Sequence, residues 1–598
     1  MATTTKLQFV DPSVAFSQID PSNQMRLVLL YSSSQNSITC HLNVVPINDP
    51  PPYEALSYVW GNAEDLRVLT VDGHAFRVTQ NLHAALEHLS LPDGAVRVLW
   101  VDAICINQGP EQDDLTERSQ QVRLMGRIFS GATNVIAYLG EPYPYLFESL
   151  EFFTVAAGGQ QSQIDQLIQN AACNVTQICH GLISLFNRAW WNRVWTVQEP
   201  LRGRKVTFQL GRLEVAAEMI RDAIYNIVTS NVRTPSAFAE LEPTSGETLS
   251  TAFTKMAMLS LSYTGASLLN VLGAFRYRDS ADPRDKIYSL MGLLPDTEHI
   301  VNIDYTIPPE QVFQNFTLAW ISKYQNLKVL GHLHNPERRV HKKTPSFAVD
   351  WAYRPSIQSN GALHNRSLLQ NEAFNACKGS KAAWHLESAG QVRATGFIFD
   401  SIRDIGAKHV FEFGSSWATR FKTLEEIVRI ANERTENHQQ TPEQALTTIR
   451  HTLCMDCKQE AGVYSRLCGK DDEHILDVWW EHTFKPSSPA HSNILAGEGG
   501  PIETTAWIAS LERSFIFTES GHMGLGPDWC KPGDAVAIMA GGALPMVLRP
   551  LSRRDGDTLD GIPTFEVIGE AYIHGIMDGE AFDIKGRAEC DFDDFCLI

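Results

Sequence analysis

The sequence predicts an α/β fold whose core is a parallel sheet. Two observations carry the prediction. Val96–Val101 and Asn134–Leu139 are short runs, apolar apart from Arg97 and Asn134 and too brief for helices, which suits buried strands. The segment between them has apolar residues at helical spacing, and strands that alternate with helices imply a parallel sheet covered on both sides.

The elements follow in order. Met25–Tyr31 and Ile38–Val45 read as strands, and Pro50, Pro51 and Pro52 punctuate before a third strand, Glu54–Val59. Arg67–Val71 and Ala75–Val78 form a hairpin around Asp72-Gly73, a strong turn pair. Leu82, Ala85, Leu86 and Leu89 make one face of an amphipathic helix. A second helix runs from about Glu117 to Ser130, with Val122, Met125, Ile128 and Phe129 on one face. Gly158-Gly159 marks a loop, and residues 162–229 read mostly helical. Asp282-Pro283-Arg284-Asp285 opens a helix, with a capping Asp and Pro at the first helical position. Polar linkers are expected at 234–249, 430–445 and 484–503. From Ser514 onward Ala535–Met539, Met546–Leu548 and Phe565–Ile568 read as strands between glycine turns. The expected division is N-terminal strands over 1–50, an α/β domain with a helical insertion over 51–230, a mostly helical region over 231–500 and a β-rich module over 501–598.

Composition narrows the function classes. The chain has 598 residues, 43% of them hydrophobic, which excludes a disordered protein. Its net charge of −19 repels phosphate backbones, so no nucleic-acid partner is expected. Eleven Cys without regular spacing argue for a reducing compartment, and the N-terminus shows no secretory pattern, so the expected location is cytoplasmic. No apolar run of about 18 residues occurs, so no membrane span is expected. Cys596 is third from the end, where a prenylation box needs the fourth position.

Generic enzyme signatures are missing: there is no phosphate loop, nucleophile elbow, HExxH or kinase set. Gly521, Gly524 and Gly526 are in the wrong order for a dinucleotide fingerprint. His451, Cys454, Cys457 and Cys468 form a loose cluster that could hold Zn²⁺, but the second half of a zinc pattern is absent, and buried thiols are the simpler reading. No resident metal or cofactor is therefore expected. Arg338-Arg339 and His341-Lys342-Lys343 read as a solvated basic face, and the sequons at Asn174, Asn315 and Asn365 carry no meaning without a secretory route.

The informative stretch lies between Tyr53 and Glu199. YEALSYVWG (Tyr53–Gly61), LWVDAICINQ (Leu99–Gln108), ERSQQVRLMGRIFSGATNVIAYLG (Glu117–Gly140) and RAWWNRVWTVQE (Arg188–Glu199) occur in that order. Together they resemble the fungal heterokaryon-incompatibility (HET) domain. DPRDKIYSLMGLLPD (Asp282–Asp296), PSFAVDW (Pro345–Trp351), GDAVAIMAGGALPMVLRP (Gly533–Pro550) and IGEAYIHGIMDGE (Ile568–Glu580) resemble segments that accompany this domain in single-chain proteins.

HET domains are in turn similar to TIR domains, which implies a TIR-like, flavodoxin-like parallel sheet. On that resemblance Tyr53–Gly61 is the first strand and its loop, and Leu99–Gln108 is the second strand with its gating loop. Trp195–Glu199 resembles the helix that carries the catalytic Glu of NAD-cleaving TIR enzymes, with Thr196 where those domains often have Cys. A further departure is the insertion between Leu139 and Arg188. The resemblance implies Glu199 as the catalytic carboxylate and a substrate pocket formed by Ser57, Tyr58, Trp60, Gly61, Asp102, Asn107, Gln108, Arg193 and Trp195, with NAD⁺ as substrate rather than cofactor.

The chemistry asks little more than one carboxylate, because nicotinamide leaves as a neutral base and only an oxocarbenium-like ribose needs stabilising. Tyr58 and Trp60 offer stacking surface, and Arg193 or the Arg202-Gly203-Arg204-Lys205 cluster offers charge for a pyrophosphate. Plainer readings stand beside these. Glu199 equally suits a helix-surface or salt-bridged structural acid, Trp190, Trp191 and Trp195 core packing, Asp102 a loop cap and Cys105 a small buried apolar residue.

The implied role is a cell-death effector of fungal non-self recognition, a form of innate immunity. It acts either by NAD⁺ hydrolysis or as a non-catalytic module that assembles with itself or with an unidentified recognition partner. Restraint by the C-terminal part is expected, with residues 1–230 more toxic alone than the full chain.

Overall fold

The computed structural model describes residues 19–31, 38–91, 95–109, 111–169, 175–228, 255, 267–293, 300–356, 359–360, 363, 373–388, 390–408, 425–431, 433, 441–460, 463–484, 500–551, 561–588 and 591–598. The linker expected at 234–249, the sequons Asn174 and Asn365, residues 1–16, half of the linker at 430–445 and most of that at 484–503 lie outside the described residues. The chain divides into two compact units, Met1–Ile307 and Pro308–Ile598.

The first unit is built on a nine-stranded sheet. Its strands are β1 (Gln24–Tyr31), β2 (Thr39–Pro46), β3 (Glu54–Ser57), β4 (Leu66–Val71), β5 (His74–Thr79), β6 (Val96–Trp100), β7 (Asn134–Tyr138), β8 (Val206–Leu210) and β9 (Leu213–Ala216), in the order β5-β4-β2-β1-β6-β3-β7-β8-β9. The centre, β6-β3-β7-β8, is parallel throughout: Glu54 faces Leu99 on one side and Asn134 on the other, and Val135 faces Val206. The three strands expected at Glu54–Val59, Val96–Val101 and Asn134–Leu139 are therefore neighbours.

The sheet is mixed rather than wholly parallel, which corrects the expectation. β1 lies antiparallel to both β2 and β6, so the N-terminal strands extend the sheet itself. Met25, Leu27, Val28 and Leu30 are buried, so β1 reads as an interior strand whichever direction it runs. The hairpin β4–β5 turns at Asp72 (φ 50°) and Gly73 (φ 83°), the two positive angles that its turn requires.

Helices cover this sheet. α1 (Gln80–Leu89) is capped by Thr79, whose hydroxyl accepts from the Leu82 amide, and buries Leu82, Ala85, Leu86 and Leu89. A short turn of helix, α2 (Asp102–Cys105), follows β6. α3 (Gln112–Gly131) starts earlier than the apolar pattern suggests, because the Asp114 carboxylate accepts from the Glu111 amide at 3.1 Å and closes a capping box. The expected helical insertion is α4 (Leu146–Ala157), α5 (Gln161–Gln169) and α6 (Val175–Phe186). Phe152, Phe153, Leu182 and Phe186 from these helices form one core with Trp190, Trp191 and Phe208. α7 (Trp195–Arg202), α8 (Ala217–Val228), α9 (Leu268–Phe275) and α10 (Asp285–Met291) complete the described helices of the unit.

The second unit begins with α11 (Pro309–Tyr324). Its strands are β10 (His385–Ser388), β11 (Gln391–Lys408), β12 (Cys457–Glu460), β13 (Val463–Arg466), β14 (Arg513–Thr518), β15 (Met523–Pro527), β16 (Ala535–Met539), β17 (Met546–Pro550), β18 (Thr564–Glu570), β19 (Tyr572–Ile573) and β20 (Asp593–Leu597). Its other helices include α12 (Pro442–Leu453), α13 (Gly469–Phe484), α14 (Gly500–Ser510) and α15 (Glu580–Lys585). The β-rich C-terminus is as expected.

β11 is not, since it lies in the stretch expected to be mostly helical. Its 18 residues pair in succession with β20 (Val392–Gly396), β16 (Gly396–Ser401) and β14 (Ile402–Lys408), and so close β16, β17, β18 and β20 into a ring. At Gly396, where the partner changes, a Cβ would stand 2.8 Å from the Ile538 carbonyl, so only glycine fits. The basic run is likewise partly structural: Arg338 pairs with Glu512, and Arg339 donates to the carbonyls of Thr344 and Ser346 at 3.0 and 3.3 Å. Among the described residues no helix is long and apolar enough to cross a membrane.

Candidate functional site

β3 and β6 are parallel neighbours, so the loops that follow them leave the sheet at the same edge. In open α/β sheets ligands sit outside the carboxyl ends of strands, where connections diverge. The loop after β3 carries Tyr58, Val59, Trp60 and Gly61; the loop after β6 turns into α2 at Asp102. The Trp60 indole N–H donates to Asp102 Oδ2 at 2.8 Å and ties the two loops together. Gly61 has φ 83°, a left-handed turn that lets the chain leave the site.

α7 reaches the same edge. Before it, the turn Ala189–Asn192 sinks Trp190 and Trp191 into the core, as the packing reading expects. The Thr196 hydroxyl donates to the carbonyls of Trp190 and Arg193 at 2.7 and 2.8 Å and anchors the start of the helix. One turn on, Glu199 is buried, only 6% exposed, and accepts a hydrogen bond from the Ser57 hydroxyl. Ser57 in turn accepts from the Trp190 indole N–H at 2.8 Å. Burial pushes the Glu199 carboxyl up to about 7, against the pull of Arg193 and the Ser57 hydrogen bond. Burial, together with the Asp102 carboxylate, pushes the Tyr58 hydroxyl well above its ordinary range.

A pocket of about 320 Å³ opens beside these loops, at the small end of the range for ligand sites. Trp60, Gly61, Asp102, Gln108, Arg193 and Trp195, all expected, line it. Ser57, Tyr58, Asn107 and Glu199 do not. The first, second and last of these form the buried layer just described. Asn107 instead braces α3: its amide N–H₂ donates to Asp114 at 2.6 Å and its backbone N–H to Glu117 at 3.0 Å. Arg202, the alternative pyrophosphate group, donates to the Gly292 carbonyl at 2.6 Å. Cys105 is fully buried, and burial pushes its thiol up to about 12, so it is no nucleophile.

The other wall comes from residues that the sequence reading left out of the site. Asp279, Asp282, Asp285, Arg118 and Tyr305 line it. The Val194 amide donates to the Asp279 carbonyl at 2.8 Å, which stitches this loop to the start of α7. Asp285 accepts from the Trp195 indole at 3.0 Å and from the Tyr305 hydroxyl at 2.6 Å, and burial pushes its carboxyl up to about 6. Asp282 instead pairs with Arg284 at 2.6 Å, which holds its carboxyl below the usual range. The signal available was three acids at a spacing of three, Asp279, Asp282 and Asp285, of which the last two were read only as a helix start.

The Zn²⁺ cluster does not form. His451 faces Asp456 at 2.7 Å and Glu473 at 3.2 Å, Cys454 and Cys457 are buried among apolar side chains, and Cys468 is exposed. Among the described residues no three His, Cys, Asp or Glu side chains are placed to hold a metal.

Residues 53–199, the segment that builds β3, β6, β7 and the Glu199 helix, match the heterokaryon incompatibility protein (HET) family, and residues 502–598 match the Het-6 beta-barrel domain. These matches support a fungal heterokaryon-incompatibility protein. A relative in Neurospora crassa, "Heterokaryon incompatibility protein 6, OR allele", is 26% identical over 98% of this chain and 97% of its own. No solved structure matches the chain. The HET match ends at Glu199, so the pocket wall from Asp279 to Tyr305 lies beyond it. The barrel match begins at 502, so the closing strand β11 lies outside it too.

Proposed function

We propose that this chain is a cell-death effector of fungal non-self recognition whose first unit hydrolyses NAD⁺ when activated. The observation that carries the reading is Glu199, a buried carboxyl pushed up to about 7, held by Ser57 at the end of β3 with the pocket opening over the same strand ends. A TIR-like nucleotide hydrolase needs one carboxylate there. The C1′–N bond breaks with its electron pair passing to nicotinamide, the Glu199 carboxylate stabilises the cationic ribose, and water adds at C1′ and gives up one proton.

The arrangement is a resting one. Glu199 does not line the pocket, and its hydrogen bond to Ser57 has to open before the carboxylate can reach a sugar. The same observation favours the second reading, a non-catalytic module acting through self-assembly or partner binding, in which Glu199 is a structural acid. Nicotinamide release by wild type and Glu199→Gln, in dilute and in crowded or activating conditions, separates the two. Turnover lost by about 10²-fold or more in the variant supports the enzyme. No turnover by either protein, with cell killing intact in the variant, leaves the module.

A further inference from the structure

Two carboxylates on the pocket wall are each held by a tryptophan indole: Asp102 by Trp60 at 2.8 Å and Asp285 by Trp195 at 3.0 Å. Asp285 is the more fully specified. Its second oxygen accepts from the Tyr305 hydroxyl at 2.6 Å, so both oxygens are oriented by neutral donors, and neither donor offsets its charge. Each oxygen keeps a lone pair for a ligand. Trp195 also lines the pocket, so ring surface lies beside this carboxylate. The Arg118 guanidinium stands 4.5 Å from the Tyr305 ring centre and lines the same space. A carboxylate on a pocket wall, the Trp195 ring next to it and a guanidinium close by is the chemistry that takes a sugar diol attached to a phosphate: the hydroxyls donate to the carboxylate, the sugar's apolar face lies on the Trp195 ring and the guanidinium meets the phosphate.

We infer that Asp285 binds the ribose hydroxyls of a nucleotide and that Arg118 meets its phosphate, which makes the 279–285 loop a specificity element of the site. The inference rests on the nucleotide-hydrolase reading for its ligand class and not on Glu199.

The test uses the full chain and two probes, ADP and 2′,3′-dideoxy-ADP, titrated by calorimetry into wild type, Asp285→Asn and Tyr305→Phe. Wild type should bind ADP about tenfold or more tightly than the dideoxy probe, the worth of one or two hydrogen bonds to a charged group. Asp285→Asn should lose that difference while keeping its affinity for the dideoxy probe; Tyr305→Phe, which removes one orienting donor and keeps the ring, should lose part of it. An equal loss for both probes means a purely structural Asp285 and overturns the inference, as does wild type binding neither probe. NAD⁺ hydrolysis with an unchanged KM in Asp285→Asn also overturns it and leaves the hydrolase reading standing. Diol-dependent ADP binding without NAD⁺ turnover in any state sinks the hydrolase reading and leaves the inference standing.

Discussion

The buried carboxyl of Glu199 makes stability depend on pH in a way that a single substitution removes. Folded, the group titrates near 7; unfolded, near 4.5. Below the lower value both states hold the proton and the group is neutral. Between the two the unfolded chain ionises while the folded one still holds its proton, so stability is lost as pH rises, and above about 7 the loss is complete. The interval from 4.5 to about 7, at about 1.4 kcal/mol per tenfold, amounts to on the order of 3 kcal/mol. Glu199→Gln cannot ionise, and its amide oxygen can still accept from Ser57, so it should escape the loss. Melting of the full chain at pH 4 and pH 8 should show the variant more stable than wild type at the higher pH, by a few degrees in the transition of the first unit, and about equal at the lower. Asp285 titrates in the same sense but is present in both proteins, so it cancels from the difference. Parallel pH profiles for the two proteins would refute the burial argument and with it the anomalous carboxyl on which the hydrolase reading leans.

Other outcomes follow from the same geometry. Trp191→Ala empties a site packed by Phe186 and Phe208 and should cost about 3–5 kcal/mol by chemical denaturation. Arg26→Met leaves the Glu117 carboxylate, 14% exposed, without its guanidinium, though the Asn107 amide still donates to it, and should cost about 3 kcal/mol by the same assay. Gly126→Ala sets a Cβ 2.5 Å from the Gly292 backbone carbonyl, where neither backbone can yield, and should lower stability by about 1–3 kcal/mol. A chain cut at residue 230 loses Asp285 and Tyr305 from the pocket, so the toxicity comparison that tests restraint by the second unit belongs to residues 1–307. Lower or equal killing by 1–307 relative to the full chain would count against restraint.

How much of this was legible in the sequence depends on how local each cause is. Val96–Val101 and Asn134–Leu139 announced themselves as short runs, apolar apart from Arg97 and Asn134, because a strand with covered faces is mostly apolar, and Asp72-Gly73 announced its turn because two positive φ angles exclude most residues. Leu82, Ala85, Leu86 and Leu89 showed their helix by spacing alone. These are properties of a few adjacent residues, and they were enough to bring β6, β3 and β7 together and to put the loops of Trp60 and Asp102 at one edge.

What the sequence left undecided depends on contacts between distant positions. Strand direction is one: an apolar β1 buries the same side chains parallel or antiparallel, and only its pairing with β2 and β6 sets the choice. The closing role of β11 is another, since its partners β20 and β16 lie more than a hundred residues on. The site shows the same division. Trp60, Asp102 and Arg193 stand in motifs that mark the edge, whereas Asp285 enters only because the backbone of Asp279 joins the start of α7 and Tyr305 and Trp195 meet it from either side in sequence. Glu199 was named by its motif, but its burial beneath Ser57 and Trp190 was decided by the fold, because a carboxyl's environment is set by what the rest of the chain packs around it.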